Sequence, residues 1–513
     1  MELSKEQQIA YNKYIQGHNV FITGPGGAGK SALIRQIYSH ATQRHKNIQV
    51  TAMTGCAAIL LNCKAKTLHS WAGIGLGNTS VDSLITKIKK NKYAANNWRE
   101  THILIVDEVS MFSLSLFDKL NALGMAIRNN YSKPFGGIQL IFSGDFYQLP
   151  PVGNKDEPDT MRFCFESDDW NSVFHKDNQI QLTKIYRQTD DTYTSILNQI
   201  REGKIKRKTN DILMKHVGRE PVPNALIIEP TKLYPTKNRV EQINTSKLNG
   251  LKTTEKTYDV KYVKELDAFG MMTMSNEDKD RRRQYTQEEI QKELDYLASN
   301  LTCDTTLKIK IGAQVMCIIN IKDDDGNMLV CNGSQGIVNN FCEITGFPII
   351  KFNNGYETIM SRHTWKSEKI PGVGVSQLPL ILAWALTIHK SQGATLDAAE
   401  IDVGSNIFEC GQTYVALSRV KSLEGLYLTS FDPKKIRINK KVQDYYESLK
   451  TYQESKTTNH EVYVPLAIAE PMPTATPLPM PSYRCQFENY NYVEAEARLA
   501  TPNEMNEEPY VDP

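Results

Sequence analysis

The stretch "GPGGAGKS", Gly24 to Ser31, sets four glycines, a lysine and a serine side by side. These residue types suit one task, the holding of a polyphosphate. Glycines let backbone N–H groups face phosphate oxygens with no Cβ in the way. Two phosphate-binding patterns overlap here. Gly24, Gly26 and Gly29 spell the G-x-G-x-x-G of dinucleotide sites, while Gly24, Gly29, Lys30 and Ser31 spell G-x-x-x-x-G-K-S. The first needs an acid about 20 residues further on for a ribose hydroxyl. "NIQVTAMTG" supplies none. The second needs only the lysine and hydroxyl after the last glycine, so the stretch reads as a P-loop. Lys30 is expected on the β- and γ-phosphates of ATP and Ser31 on Mg²⁺. Gly24, Pro25, Gly26, Gly27, Ala28 and Gly29 are expected to wrap the phosphates.

A P-loop needs a carboxylate on the metal side and a base for the attacking water. "HILIVDEVSM" offers both, as Asp107 and Glu108 after four apolar residues. Asp107 fits the Mg²⁺ ligand and Glu108 the general base.

These residues need strands to carry them. "NVFITG", "IQVTAMT", "HILIVDE" and "IQLIFSGD" are short β-branched runs, each ending in a polar or glycine loop. Helix-like segments separate them, the pattern of βα units and a mostly parallel sheet. Ligands sit at the carboxyl ends of such strands, where all the residues above fall. A second α/β region is expected from residue 179, with "NALIIEPT" and "LPLILAWALTIHKSQG" as strands. Between them, residues 251–300 read as a polar inserted helix or loop. Residues 307–355 read as close short strands with a turn at "DDDGN", which suggests a small β-barrel.

Formal charge is +2, and its distribution is more informative than its sum. From Gln7 to Val81 there is no acid, against seven Lys and Arg. Residues 461–513 carry nine acids and two arginines, so the rest of the chain is a basic body of about +9. Residues 465–513 hold nine of the 22 prolines, and order is expected to end near 446. The nine cysteines contain no C-x-x-C pair and read as reduced, intracellular thiols. No run of 18 apolar residues spans a membrane, and "MELSKEQQIAYNKY" lacks a signal-peptide core.

Ordered blocks over residues 1–430 resemble those of the Pif1 family of DNA helicases, P-loop enzymes of superfamily 1B. "LSKEQ" resembles a Q motif, implying that Gln7 reads adenine. Thr51 to Gly77 resembles motif Ia and the adjoining strand-contact region. Phe117 to Val152 resembles the Pif1 signature and motif III, with Gln148 as γ-phosphate sensor. "LTKIYRQTD" resembles motif IV, with Arg187. "IHKSQGATLD" resembles motif V and "YVALSRVKSLEGL" motif VI, with Arg419. The resemblance implies catalytic roles for Lys30, Glu108, Gln148, Arg187 and Arg419. Arginine fingers also fit the charge that develops on a γ-phosphate.

Strand binding without sequence preference needs backbone contacts and aromatic stacking. "TLHSWAG" places Thr67, His69 and Trp71 in the acid-free stretch, and His389 and Lys390 precede a second turn. Trp71, where the family often has Phe, reads either as a stacking face or as core. "KIKKNKY" reads as a solvated helix or part of a fork wedge.

The resemblance implies two RecA-like domains with parallel sheets, an inserted SH3-like barrel and a disordered tail. The expected divisions are 1–178, with a wedge insertion near 64–98; 179–306; 307–372 for the barrel; 373–445; and 446–513 for the acidic tail. It implies an ATP-dependent, 5′→3′ DNA helicase of replication, repair or recombination, acting on single-stranded and forked DNA. The alternative is a DNA-stimulated translocase that remodels nucleoprotein without unwinding. A DNA-containing compartment such as the nucleus follows from that substrate. The tail is a candidate segment for a protein partner.

Overall fold

The computed structural model describes residues 3–460, apart from 55–56, 59–60, 62, 76, 78, 189, 221–228, 265–275, 302, 323–327, 331, 368–369, 389 and 393–394. The tail from 461, the "DDDGN" turn and most of "NALIIEPT" therefore lie outside the described residues.

The first sheet has six strands: β1 (Val20–Thr23), β2 (Ile48–Ala52), β3 (Lys66–Thr67), β4 (Ile103–Asp107), β5 (Gln139–Gly144) and β6 (Gln179–Gln181). Their order across the sheet is β3-β2-β4-β5-β1-β6, and every pairing is parallel. The four expected apolar runs are β1, β2, β4 and β5. They alternate between two cores because helices cover both faces. Phe21, Leu104, Val106, Leu140 and Phe142 enter one core, and Val20, Ile22, Ile103, Ile105 and Ile141 the other. The expected boundary after 178 falls too early. Residues 179–181 pair with β1, as Phe21↔Gln179 to Thr23↔Gln181, and close the edge of the first sheet.

Helix Lys30–Gln43 follows the P-loop. Gly29, at φ +81°, is its N-cap, with no capping side chain and no acid in the first turn. Its first N–H groups are thus left for an anion. The basic "KIKKNKY" segment falls on two short helices, Val81–Lys90 and Lys92–Glu100.

The second parallel sheet has four strands, in the order Ala385–Thr387, Thr231–Tyr234, Ala399–Val403, Leu426–Phe431. Leu233, Leu386, Ile401 and Leu428 build its core. The run "LPLILAWALTIHKSQG" is shared between two sheets. Leu380–Leu382 pairs antiparallel with Gln314–Cys317, and Ala385–Thr387 enters the parallel sheet. The inserted region is a five-stranded antiparallel sheet that includes Gln314–Cys317, Gln335–Phe341 and Pro348–Phe352. Within 251–300, helix Gln287–Ser299 starts on a Thr286/Glu289 capping box.

Order continues past 446. Helix Lys440–His460 sets Val442 and Tyr446 into the core of the first sheet. The tail expected from 446 thus begins inside a packed helix.

Candidate functional site

The P-loop, Asp107, Glu108, Gln148, Arg187 and Arg419 line one cleft of ≈ 220 Å³. The first four come from the carboxyl ends of β1, β4 and β5. The arginines arrive from the far side, on the segment after β6 and after helix Gln412–Leu417. Gly27 (φ +85°) permits the approach, since a Cβ there would lie 2.5 Å from the Cβ of Arg187. A Cβ on Gly26 would lie 3.6 Å from a guanidinium nitrogen of each arginine. Both sheets therefore present cations to the same few ångströms of loop.

Lys30 Nζ donates to the carbonyls of Gly24 at 2.6 Å and Pro25 at 3.0 Å, curled back over its own loop. Gln7 donates from Nε2 to the Gly29 carbonyl at 3.2 Å and accepts at Oε1 from Ser4 N–H at 2.8 Å. Gln7, Gly24 and Pro25 thus support the loop from behind. Gly26, Gly27, Ala28, Gly29, Lys30 and Ser31 face the cleft. Glu108 sits at φ 56°, ψ 45°, a left-handed conformation that costs a non-glycine residue about 1–3 kcal/mol. Its Oε2 and the Oε1 of Gln148 are buried with no hydrogen-bond partner among the described residues. Buried acceptors without partners suit groups that wait for a ligand or a water.

Burial shapes the charges. It lowers the Lys30 pKa, against the pull of Asp145, Glu108 and Asp107. It raises the Asp107 carboxyl, with the Glu108 carboxylate adding to the rise. It pushes Arg419 down to about 9, with Arg187 as the next cause, and lowers Arg187 too. Three cations crowd a dry site, which is electrostatically suited to a polyanion.

Several cleft residues escaped the sequence reading. Arg35 lies one turn beyond Ser31 on the same helix face, and Ala57 and Leu61 close one wall. Tyr186 places its ring 3.4 Å from where a Gly29 Cβ would sit. Tyr414 accepts at its hydroxyl from Gly26 N–H at 2.8 Å. Tyr186 precedes Arg187 directly and Tyr414 opens the motif that carries Arg419, so their place in those motifs was the available signal.

A second groove, ≈ 430 Å³, is lined by Thr67 and His69, at and just after β3 of the first sheet, and by Tyr296 and Trp365 of the insertion. Lys66, Lys87, Lys292 and Lys366 line it too, against Glu293. Thr67 caps helix Leu68–Ala72, and burial lowers the His69 pKa. Trp71 is not in the groove. It is 0 % exposed, with its ring centroid 4.5 Å from that of Trp98. The stacking reading of Trp71 is therefore corrected to a core role, because helix Leu68–Ala72 turns Trp71 towards helix Lys92–Glu100. Lys390 is exposed and does not line the groove, and His389 lies outside the described residues.

Comparison with known proteins agrees with this geometry. The family model "PIF1-like helicase" matches residues 2–211, and "DNA helicase Pif1, 2B domain" matches 294–341. The ATP-dependent DNA helicase PIF1 of Danio rerio is 36% identical over 452 residues, covering 88% of this chain and 64% of that protein. The ATP-dependent DNA helicase RRM3 of Saccharomyces cerevisiae is 33% identical over 529 residues, covering 88% of this chain and 68% of the relative. The chain thus spans about two thirds of the length of these curated relatives. The crystal structure of Pif1 helicase from Candida albicans superposes with a TM-score of 0.69 at 36% identity, covering 88% of this chain and 100% of that one. No helix among the described residues is long and apolar enough to cross a membrane. With two parallel sheets meeting at one P-loop cleft, and with this similarity along most of its length, the chain belongs to the Pif1-like helicase family.

Proposed function

We infer that the protein hydrolyses ATP to move along single-stranded DNA and unwind duplex DNA, 5′→3′, in replication, repair or recombination. The observation that carries the reading is the cleft. Arg187 and Arg419 from beyond β6 reach Gly26 of the first sheet, so nucleotide bound there bridges both parallel sheets. Opening and closing that bridge is a means of stepping along a strand. The direction rests on the family resemblance. A Pif1 from Bacteroides has been solved bound to ssDNA, and another related structure concerns unwinding at forked dsDNA by two coordinating Pif1 helicases.

In this reading Lys30, Arg187 and Arg419 neutralise the γ-phosphate. Gln148 senses the γ-phosphate, and Glu108 orients the attacking water and takes its proton. Ser31 and Asp107 would hold Mg²⁺. The fit is chemical: one hydroxyl and one buried carboxylate, whose charge burial disfavours, face the phosphate cleft. Among the described residues no cluster of three or more His, Cys, Asp or Glu offers a fuller cage. Mg²⁺ typically takes one or two carboxylates beside phosphate oxygens and water. When bound, the ion draws charge from the phosphates. Thr67 and His69 would hold DNA backbone in the second groove. We read the parallel sheets as the paired RecA-like domains, the antiparallel sheet as the small inserted barrel, and the tail as a segment for a protein partner. A DNA-containing compartment follows from the substrate.

The test is strand displacement with 5′-tailed and 3′-tailed duplexes, ATP and Mg²⁺, with Lys30→Ala as the inactive control. Displacement of the 5′-tailed duplex alone is expected. DNA-stimulated hydrolysis with neither duplex opened would favour the nucleoprotein-remodelling translocase. Opening of the 3′-tailed duplex alone would reverse the direction.

A further inference from the structure

Behind the cleft, a buried polar knot joins three parts of the chain. Asp145, just after β5, takes a bidentate grip from Arg201 of helix Asp191–Arg201, at 2.9 and 2.8 Å. The Arg201 guanidinium lies 4.5 Å from the ring centroid of Tyr147 and 5.3 Å from that of Tyr446. Those two rings stack on each other at 4.8 Å and 10°. Tyr446 comes from helix Lys440–His460, which no motif block covers.

The Tyr446 hydroxyl touches two loops of the cleft at once. It shares a hydrogen with Thr23 Oγ1 at 2.6 Å, and Thr23 directly precedes Gly24. It accepts from Phe146 N–H at 3.2 Å, and Phe146 lies two residues before Gln148. The hydroxyl also donates to Asp145 Oδ1 at 3.5 Å, while the ring packs among apolar neighbours, with Phe21, Phe146 and Val442 in the same cluster. Phenylalanine would fill that space equally well, and a buried hydroxyl is costly unless bonded. Packing alone therefore gives no reason for an oxygen at this position.

We propose that Tyr446 is a positioning residue for ATP hydrolysis: its hydroxyl ties the start of the P-loop to the turn that carries Gln148. The proposal rests on the ATPase reading above. One oxygen bonded to both loops fixes the distance between the P-loop that holds the γ-phosphate and the glutamine that senses it. Rate is sensitive to such spacing, since misplacement by about 1 Å costs on the order of 100-fold. The stacked Tyr147 and the Arg201–Asp145 pair hold the tyrosine from the side.

The experiment compares Tyr446→Phe with Tyr445→Phe in the full chain. Tyr445 neighbours it on the same helix and donates to Gln179 Oε1 at 2.6 Å, away from both loops. Each variant loses one tyrosine hydroxyl and keeps its ring. In Tyr446→Phe, kcat of DNA-stimulated hydrolysis is expected to fall about tenfold, with KM for ATP unchanged. Tyr445→Phe should keep the wild-type kcat, and the two should melt at similar temperatures. An unchanged kcat in Tyr446→Phe overturns the proposal, as does an equal fall in both variants. Should Tyr446→Phe not fold, Thr23→Val removes the same bond from the other side and must lower kcat for the proposal to stand. A wild-type protein without DNA-stimulated hydrolysis would instead defeat the ATPase reading itself.

Discussion

Arg187 and Arg419 share one residue: the first donates to the Ser418 carbonyl at 3.1 Å, the second to the Ser418 hydroxyl at 2.7 Å. Two guanidiniums, that of Arg419 buried and that of Arg187 half-buried, are held side by side without a carboxylate in either bond. Burial lowers the pKa of both, and at Arg419 the neighbouring Arg187 charge lowers it further. An anion between them relieves the repulsion of the two like charges.

Polyphosphates should therefore stabilise the protein even without hydrolysis. At 100 times Kd the linkage is worth about 2.7 kcal/mol for any ligand that binds only the folded state. ADP or pyrophosphate should raise Tm in the wild type. Arg419→Ala should show a smaller rise at the same ligand concentration. An equal rise in both, measured by thermal shift, would remove Arg419 from the phosphate site.

Glu108→Gln should bind ATP and hydrolyse it very slowly. Loss of a positioned general base costs about 10²–10⁴-fold. Equilibrium binding of a fluorescent nucleotide beside steady-state turnover separates the two effects. Wild-type turnover in this variant would defeat the base assignment.

Trp71→Ala should destabilise the first unit by about 3–5 kcal/mol, the usual cost of emptying a large aromatic site. Trp71→Phe should cost less. The indole N–H is buried without a partner among the described residues, so its loss forfeits no hydrogen bond there. Affinity for single-stranded DNA per folded molecule should hold in both. A selective loss of DNA affinity at wild-type Tm would show that Trp71 leaves the core to meet a base.

Glu166 supplies a pH-dependent anchor for the C-terminal helix. Burial alone would raise its pKa, but Lys441, the Phe163 N–H and Arg162 outweigh burial, and the net direction is down. A carboxylate lowered on folding contributes stability above its unfolded pKa, near 4.3, and loses it as pH falls through the folded value. The Tm gap between wild type and Lys441→Ala should be widest near neutral pH and narrow as pH drops below about 4. A gap independent of pH would mean that the pair contributes only packing.

The β1, β4 and β5 strands were legible because burial on both faces leaves apolar runs, and β2 through its β-branched residues Ile48, Val50 and Thr51. The cleft was legible because its chemistry fixes residue types at short spacing. Trp71 was not, since whether an aromatic meets a base or Trp98 depends on a helix beyond its own motif. The end of order at 446 was misplaced on composition. Lysine, glutamine and tyrosine dominate 440–455, and the packing uses Val442, Tyr446 and Leu449, a helical spacing too sparse to outweigh the proline-rich stretch that follows. The helix at 287 had a readable sign, the capping box of Thr286 and Glu289. β6 is three residues long, too short for any periodicity.

The second parallel sheet joins neighbours that are far apart in the chain: Lys232 pairs with Ala385, with the whole antiparallel insertion between them. This imposes an order of assembly during synthesis. All six strands of the first sheet have left the ribosome soon after residue 181. The second sheet cannot close until its last strand, Leu426–Phe431, emerges. At about 5–20 residues per second, that interval is on the order of tens of seconds. Non-local pairing of this kind also folds slowly, because loop closure precedes any gain from contact. A nascent chain in that interval has its P-loop, Asp107 and Glu108 but not Arg419. For nearly all of that interval the cleft has two of its three cations, Lys30 and Arg187, and lacks both the third and the C-terminal helix that completes the first core.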